Sequence, residues 1–124
     1  MRLFNISTEY ALKLLICLAR SGKPLPSSVL SREVGVSPRY MLNIGAKLRD
    51  SGLIKASYGV KGGFALCRPP EEISVMDVIK TMGCRGTPHS LSLGSGFQAL
   101  CRYCKDVRSY VHNSLAGTTI ADLL

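Results

Sequence analysis

Tryptophan is missing from this 124-residue chain, and aromatic residues make up only 6% of it. A buried core must therefore be built from leucine, isoleucine and valine. Acidic residues are also scarce, eight against sixteen lysines and arginines. No uninterrupted apolar run is long enough to span a bilayer, so the chain is expected to make no membrane contact. The five cysteines are odd in number and irregular in spacing. That excludes a secreted disulfide framework and points to a reducing, cytoplasmic setting. Arg2 followed by the apolar run Tyr10–Ala19 faintly resembles a secretion signal. Glu9 and Lys13 interrupt the run, Ala19-Arg20-Ser21-Gly22 is a poor cleavage site, and an amphipathic first helix is expected instead. No internal repeat is present.

The excess positive charge is unevenly placed. Eleven of the sixteen cations but only three of the eight acids fall in residues 1–70, so the whole +8 resides there. Residues 71–124 balance five against five. A solubilising surface would not predict this partition. A polyanion-binding half joined to a neutral half does.

Periodicity supplies the elements. Leu12, Leu15, Ile16 and Ala19 recur at helical spacing over about Ser7–Arg20, and Gly22-Lys23-Pro24 stops that helix. Cys17 lies among them and reads as core. A short helix over about Ser27–Val34 carries Val29, Leu30 and Val34 and ends at Gly35. The third helix begins with Ser37, which can cap the free N–H groups of a first turn, and Pro38, which suits a position needing no donor. It closes at Gly52. At 100° per residue, Met41, Ile44, Gly45 and Leu48 share one face. Arg39, Asn43, Ala46 and Lys47 fall on the opposite face, with Tyr40 beside them.

Two short strands, about Leu53–Ser57 and Gly63–Cys67, flank a turn holding Gly59, Lys61 and Gly62. Cys67 there reads as packing. Ser74 and Asp77 resemble a capping box opening a helix to Met82 that buries Val75, Val78 and Ile79. Residues 83–96 hold four glycines and few large apolar groups, the composition of a functional or mobile loop. A last helix, about Phe97–Leu115, carries Leu100, Tyr103, Val107, Val111 and Leu115 as its apolar stripe, and Thr118–Leu124 adds a final helical turn.

The order is that of a winged helix-turn-helix: mainly α, with a small β-hairpin wing and a long C-terminal dimerisation helix. Three units are expected: a DNA-binding domain over 1–82, a flexible and sensory loop over 83–96, and a dimerisation helix with its tail over 97–124. In such a fold the second helix of the pair enters the major groove, and its N-terminal residues reach base edges. Here those residues are Arg39, Tyr40 and Asn43; arginine can grip guanine and asparagine adenine in bidentate fashion. Ser37, Lys47 and the first amides of the helix suit phosphates. Gly62 permits close approach of the wing backbone, and Lys61 puts charge at its tip. The site residues expected for double-stranded DNA are thus Ser37, Pro38, Arg39, Tyr40, Asn43, Lys47, Tyr58, Lys61 and Gly62.

The wording of the chain resembles the Rrf family of bacterial winged-helix regulators. The resemblance is carried by Ser7 with Tyr10-Ala11, by Val36-Ser37-Pro38-Arg39-Tyr40-Met41, by Leu48-Arg49 with Gly52-Leu53-Ile54, and by Gly59-Val60-Lys61-Gly62-Gly63-Phe64-Ala65-Leu66. Ile73-Ser74-Val75-Met76-Asp77-Val78-Ile79 and Thr119-Ile120-Ala121-Asp122-Leu123 complete it. It implies a transcriptional regulator, a repressor by expectation and not an enzyme. It also implies a homodimer paired through the long helix on a palindromic operator. The family often has arginine where this chain has Tyr58, so an arginine cannot enter the minor groove there.

Several members of that family hold an iron–sulfur cluster through three cysteines before the long helix. The corresponding donors here are Cys84, Cys101 and Cys104, with His89 between them. Their spacing departs from the family's short, nearly equal intervals: sixteen residues separate Cys84 from Cys101, and two separate Cys101 from Cys104. Another metal site, a thiol switch and simple packing are the competing readings of these cysteines, and the signal expected for the C-terminal half is redox state, iron or a small molecule. Two other functions stand beside the regulator: a thiol–disulfide redox protein using Cys101-x-x-Cys104, and a winged-helix module binding an acidic protein. The redox reading lacks the strand-then-helix setting that usually lowers a thiol pKa.

Overall fold

A computed structural model describes residues 5–82 and 98–124. The chain runs α1 (Ile6–Ser21), α2 (Ser27–Val34), α3 (Pro38–Asp50), β1 (Ile54–Ser57), β2 (Gly63–Leu66), α4 (Val75–Met82) and α5 (Gln98–Gly117), with single 3-10 turns at Pro70–Glu72 and Ala121–Leu123. This is the expected mainly helical fold with a two-stranded antiparallel wing. The connection over residues 83–96, His89 included, lies outside the described residues.

Asn5 caps α1, its Oδ1 accepting the Thr8 N–H at 2.8 Å. The buried face of α1 is Thr8, Ala11, Leu14, Leu15 and Leu18. This corrects the stripe read from the sequence: Leu12, Ile16 and Ala19 are only half-buried beside the core. From Tyr10 to Ala19 the helix is apolar almost all round, so spacing alone admits more than one face. Packing against α2, α3 and α4 selects the one that faces inward.

Leu14, Leu15 and Leu18 join Leu30 and Val34 of α2, Met41, Ile44 and Leu48 of α3, and Leu53, Ile54 and Phe64 from the wing. From α4 the core takes Val78 and Met82. Met82 replaces the expected Ile79, which is half-buried, because Val75, Val78 and Met82 keep i, i+3, i+7 spacing. The capping box is present: the Asp77 N–H donates to Ser74 Oγ at 3.1 Å, and the Ser74 N–H donates to Asp77 Oδ2 at 3.0 Å.

The tail returns to the body. The Val75 N–H donates to the Thr118 carbonyl at 2.8 Å and the Ile120 N–H to the Ile73 carbonyl at 2.9 Å. Ile120 and Ile73 are both fully buried. Between α4 and this anchor, α5 leaves Val107, Tyr110 and Val111 exposed. The three span one side of the helix at i, i+3, i+4 spacing.

Candidate nucleic-acid interface

The turn between α2 and α3 is three residues long. Gly35 adopts φ 85°, which lets its N–H and that of Val36 both return to the Ser31 carbonyl, at 2.9 and 3.0 Å. Ser37 then caps α3 as the sequence implied, its Oγ accepting the Tyr40 N–H at 3.1 Å, with Pro38 in the first turn. Met41, Ile44, Gly45 and Leu48 of α3 are buried. Their burial fixes the rotation of the helix. Ser37, Pro38, Arg39, Asn43 and Lys47 are consequently exposed, and Ala46 half-buried.

Arg39 and Lys47 make no ion pair among the described residues, whereas Arg49 pairs with Asp50 at 3.6 Å on the surface. A bridge that exposed contributes at most about 1 kcal/mol, so it does not tie Arg49 down. Tyr40 differs from its neighbours. Its half-buried ring meets Tyr10 edge-to-face, with centroids 5.7 Å apart and planes at 83°. Lys13 of α1 stands 5.4 Å from the Tyr10 centroid. This contact fastens the start of α3 to α1 and brings a lysine from another helix to the same joint.

The wing is held at its base rather than at its tip. Strands β1 and β2 pair from Ile54 with Leu66 to Ser57 with Gly63. Leu25, just before α2, adds a single antiparallel bridge to β2: its N–H donates to the Phe64 carbonyl and its carbonyl accepts the Phe64 N–H, both at 2.9 Å. Gly63 makes this possible. Its φ is 140°, and a Cβ there would strike the Leu25 carbonyl. At the tip, Tyr58 and Val60 are 93% and 104% exposed. Lys61 is exposed and Gly62 half-buried.

Helix α3 and the wing border one cleft of about 330 Å³, walled by Leu42 and Arg49 on one side and Tyr58, Gly59 and Gly62 on the other. Sequence reading left out Leu42 and Arg49. A residue at 300° from Arg39 falls between the apolar and basic arcs of a helical wheel, and only the packed position of α3 shows that Leu42 is 51% exposed. Val60 was missed for a different reason: nothing in a hairpin's sequence tells which residue stands at its apex.

The cysteine candidates are not brought together among the described residues. Cys84 lies outside them. Cys101 and Cys104 fall on the first two turns of α5, with their side chains outside the described set. No group of three or more histidine, cysteine, aspartate or glutamate side chains that could hold a metal occurs among the described residues. Cys17 is half-buried. Burial pushes its thiol pKa up, with the Glu33 carboxylate adding to that and Arg20 opposing it. Cys67 is exposed, not packed as the sequence suggested. It sits just past the end of β2, on the rim of a 470 Å³ groove shared with Lys23, Lys55 and Arg68. Among the described residues no helix is long and apolar enough to cross a membrane.

Comparison with known proteins agrees with this geometry. Residues 4–124 match a family model described as "Rrf2: Iron-dependent Transcriptional regulator". An HTH-type transcriptional regulator of Mycobacterium tuberculosis H37Rv is 31% identical over 127 residues, covering 96% of this chain and 79% of that protein. CymR, the global cysteine regulator of B. subtilis, superposes with a TM-score of 0.88 at 26% identity, over 99% of this chain and 96% of that one. IscR of T. potens superposes with a TM-score of 0.81 at 25% identity, over 99% and 85% of the two chains.

Proposed function

The chain belongs to the Rrf2 family of transcriptional regulators, and from that premise we propose that it is a homodimeric repressor that reads a palindromic operator and responds to a signal through its C-terminal half. The observation that carries the DNA-reading part is the face of α3. Arg39, Asn43 and Lys47 are exposed together on a helix whose opposite side is locked into the core. In this reading Arg39 and Asn43 hydrogen-bond base edges in the major groove, each bidentate contact contributing about 1–3 kcal/mol of discrimination. Ser37, Pro38 and Lys47 set the register on phosphates, Tyr40 holds the helix start against α1 while facing the backbone, and Tyr58, Lys61 and Gly62 touch the adjoining strand.

Pairing is assigned to α5. Val107, Tyr110 and Val111 form an exposed apolar side on a helix tethered to the body at its C-terminal end. A second copy would cover it, and two-fold pairing presents two recognition helices about 34 Å apart, one turn of DNA. Residues 1–82 then form the DNA-binding unit, 83–96 the sensory segment and 97–124 the pairing arm.

For the signal we propose an iron–sulfur cluster on Cys84, Cys101 and Cys104. Support comes from the placement of Cys101 and Cys104 one turn apart at the start of α5, and from the iron dependence in the family's description. When bound, such a cluster supplies a charge that changes with its redox state. The visible absorption spectrum and iron and sulfide content of protein purified without oxygen test it; a colourless, iron-free protein leaves the thiols as a switch or as packing.

Selection of duplexes from a randomised pool, followed by titration at rising salt, tests the reading as a whole. A palindromic consensus and an affinity falling steeply with salt are expected. Failure to retain any duplex at low salt overturns it in favour of a protein-binding module. A reporter gene carrying the selected site beside its promoter should fall in output when the regulator is present.

A further inference from the structure

Leu42 is the only large apolar side chain exposed on α3. The other large non-aromatic apolar residues of that helix, Met41, Ile44 and Leu48, are buried to 2% exposure or less. Leu42 stands about 60° round the helix from Arg39, at the edge of the outward arc, and lies in the N-terminal half of the helix, the part that reaches base edges. It also forms the helix-side wall of the cleft that faces Tyr58 and Gly59 of the wing. Leu42 is not part of the core cluster, and half of its surface is open to solvent.

We propose that Leu42 is a specificity-determining residue that reads the C5-methyl group of a thymine. The inference rests on the DNA-reading role of α3 argued above. In the major groove thymine alone presents a methyl group, while guanine, cytosine and adenine present polar donors and acceptors. A leucine side chain has nothing to offer those polar atoms and would strip them of water without replacing the lost hydrogen bonds. Against the thymine methyl it loses nothing and gains apolar contact. Leu42 therefore does two things at one base pair: it favours thymine and penalises the other three bases. Arg39 and Asn43 supply hydrogen bonds to their own bases on the adjoining part of the arc.

Uracil in place of thymine removes that methyl and leaves base pairing intact. The full-length protein is first used to select a consensus from a randomised duplex pool. Each thymine of the consensus is then replaced singly by deoxyuridine, and affinity is measured for the wild type and for Leu42→Ala. The expected result is a loss of about fourfold for the wild type at one thymine of each half-site, the ratio that burying one methyl group gives. Leu42→Ala, a change at an exposed site, should fold normally, bind the thymine duplex more weakly and show no difference between thymine and uracil at that position. Equal affinity of the wild type for thymine and uracil at every position overturns the assignment, and so does a thymine preference that Leu42→Ala retains. Enrichment of no sequence at all overturns base reading by α3 itself, and this inference with it.

Discussion

The Phe64 ring occupies the space that a side chain at Gly45 would need. A Cβ placed on Gly45 would lie 2.5 Å from Phe64 Cζ. The two residues join the recognition helix to the wing, because Phe64 is also the residue that β2 pairs with Leu25. The ring is 6% exposed and cannot swing outward without opening the core. Gly45→Ala should therefore destabilise the protein by about 1–3 kcal/mol, the usual cost of overpacking. It should also shift the wing against α3 and weaken DNA binding beyond what the lost stability explains. Thermal melts and binding titrations below the melting range separate the two effects. An alanine variant with unchanged melting would show that the ring has room to yield.

Asn43 and Lys47 stand one turn apart on the same exposed face but should fail differently. Asn43→Ala is expected to cost about 1–3 kcal/mol on the selected operator and little on random duplex. Lys47→Ala should weaken binding to all sequences alike and reduce the salt slope by about one counterion. Paired titrations on specific and random DNA at several salt concentrations check both. An Asn43 variant that loses equally on both DNAs would remove it from base reading.

Much of this surface was legible in the sequence because local chemistry determines it. Ser37-Pro38 can hardly do anything but start a helix, and Gly35 just before it allows the tight turn. The face opposite Met41, Ile44 and Leu48 followed from helical geometry alone. The less legible features depend on tertiary packing. The inward side of α1 could not be chosen from a helix that is apolar nearly all round. Tyr40 gave no sign that its partner would be Tyr10, thirty positions away. Leu42 draws no assignment from the sequence, and Cys67 reads there as packing; only the placement of neighbouring elements shows both to be exposed.

Ile120 tests how far the tail matters to the body. It is fully buried, and its N–H bonds the carbonyl of Ile73, also fully buried. Ile120→Ala should cost about 2–5 kcal/mol, the range for emptying a core isoleucine site. Ile120→Val should cost only about 0.5–1.5 kcal/mol. Since the tail is the C-terminal tether of α5, the alanine variant should also loosen the arm, seen as faster amide exchange at Val75 and at position 120. A small loss on both variants would mean that the domain core closes without the tail.

Cys17 and Cys67 should separate by reactivity. Thiolates react and thiols do not, and burial together with the Glu33 carboxylate holds the Cys17 proton on to higher pH than usual. Cys67 is open to solvent. Alkylation at pH 8 followed by peptide mass spectrometry should label Cys67 well before Cys17. The same shift has a stability consequence. Because the native pKa is raised, the unfolded thiol ionises first as pH climbs. The stabilisation is therefore complete below the ordinary thiol pKa of about 8.5 and is lost as pH rises through the native value. Cys17→Ala should flatten that alkaline decline, and an unaltered profile would show that Cys17 does not contribute to it.

The proposed pairing through α5 gives the last test. Tyr110 is 78% exposed, with Val107 and Val111 beside it at 44% and 36%. A leucine-sized group gains about 1.5–3 kcal/mol on full burial, so covering the exposed part of these side chains on each of two copies contributes to association. A charge placed among them would have to be desolvated without a partner, which costs more than the contact returns. Tyr110→Glu should therefore give a monomer by sedimentation while leaving the thermal melt of the winged-helix core largely intact. Because each half-site contact would no longer be reinforced by a tethered second one, affinity for a full palindrome should fall towards that for a half-site, a loss of about 10²–10⁴-fold. A Tyr110→Glu protein that stays dimeric and keeps its palindrome affinity would place the pairing surface elsewhere.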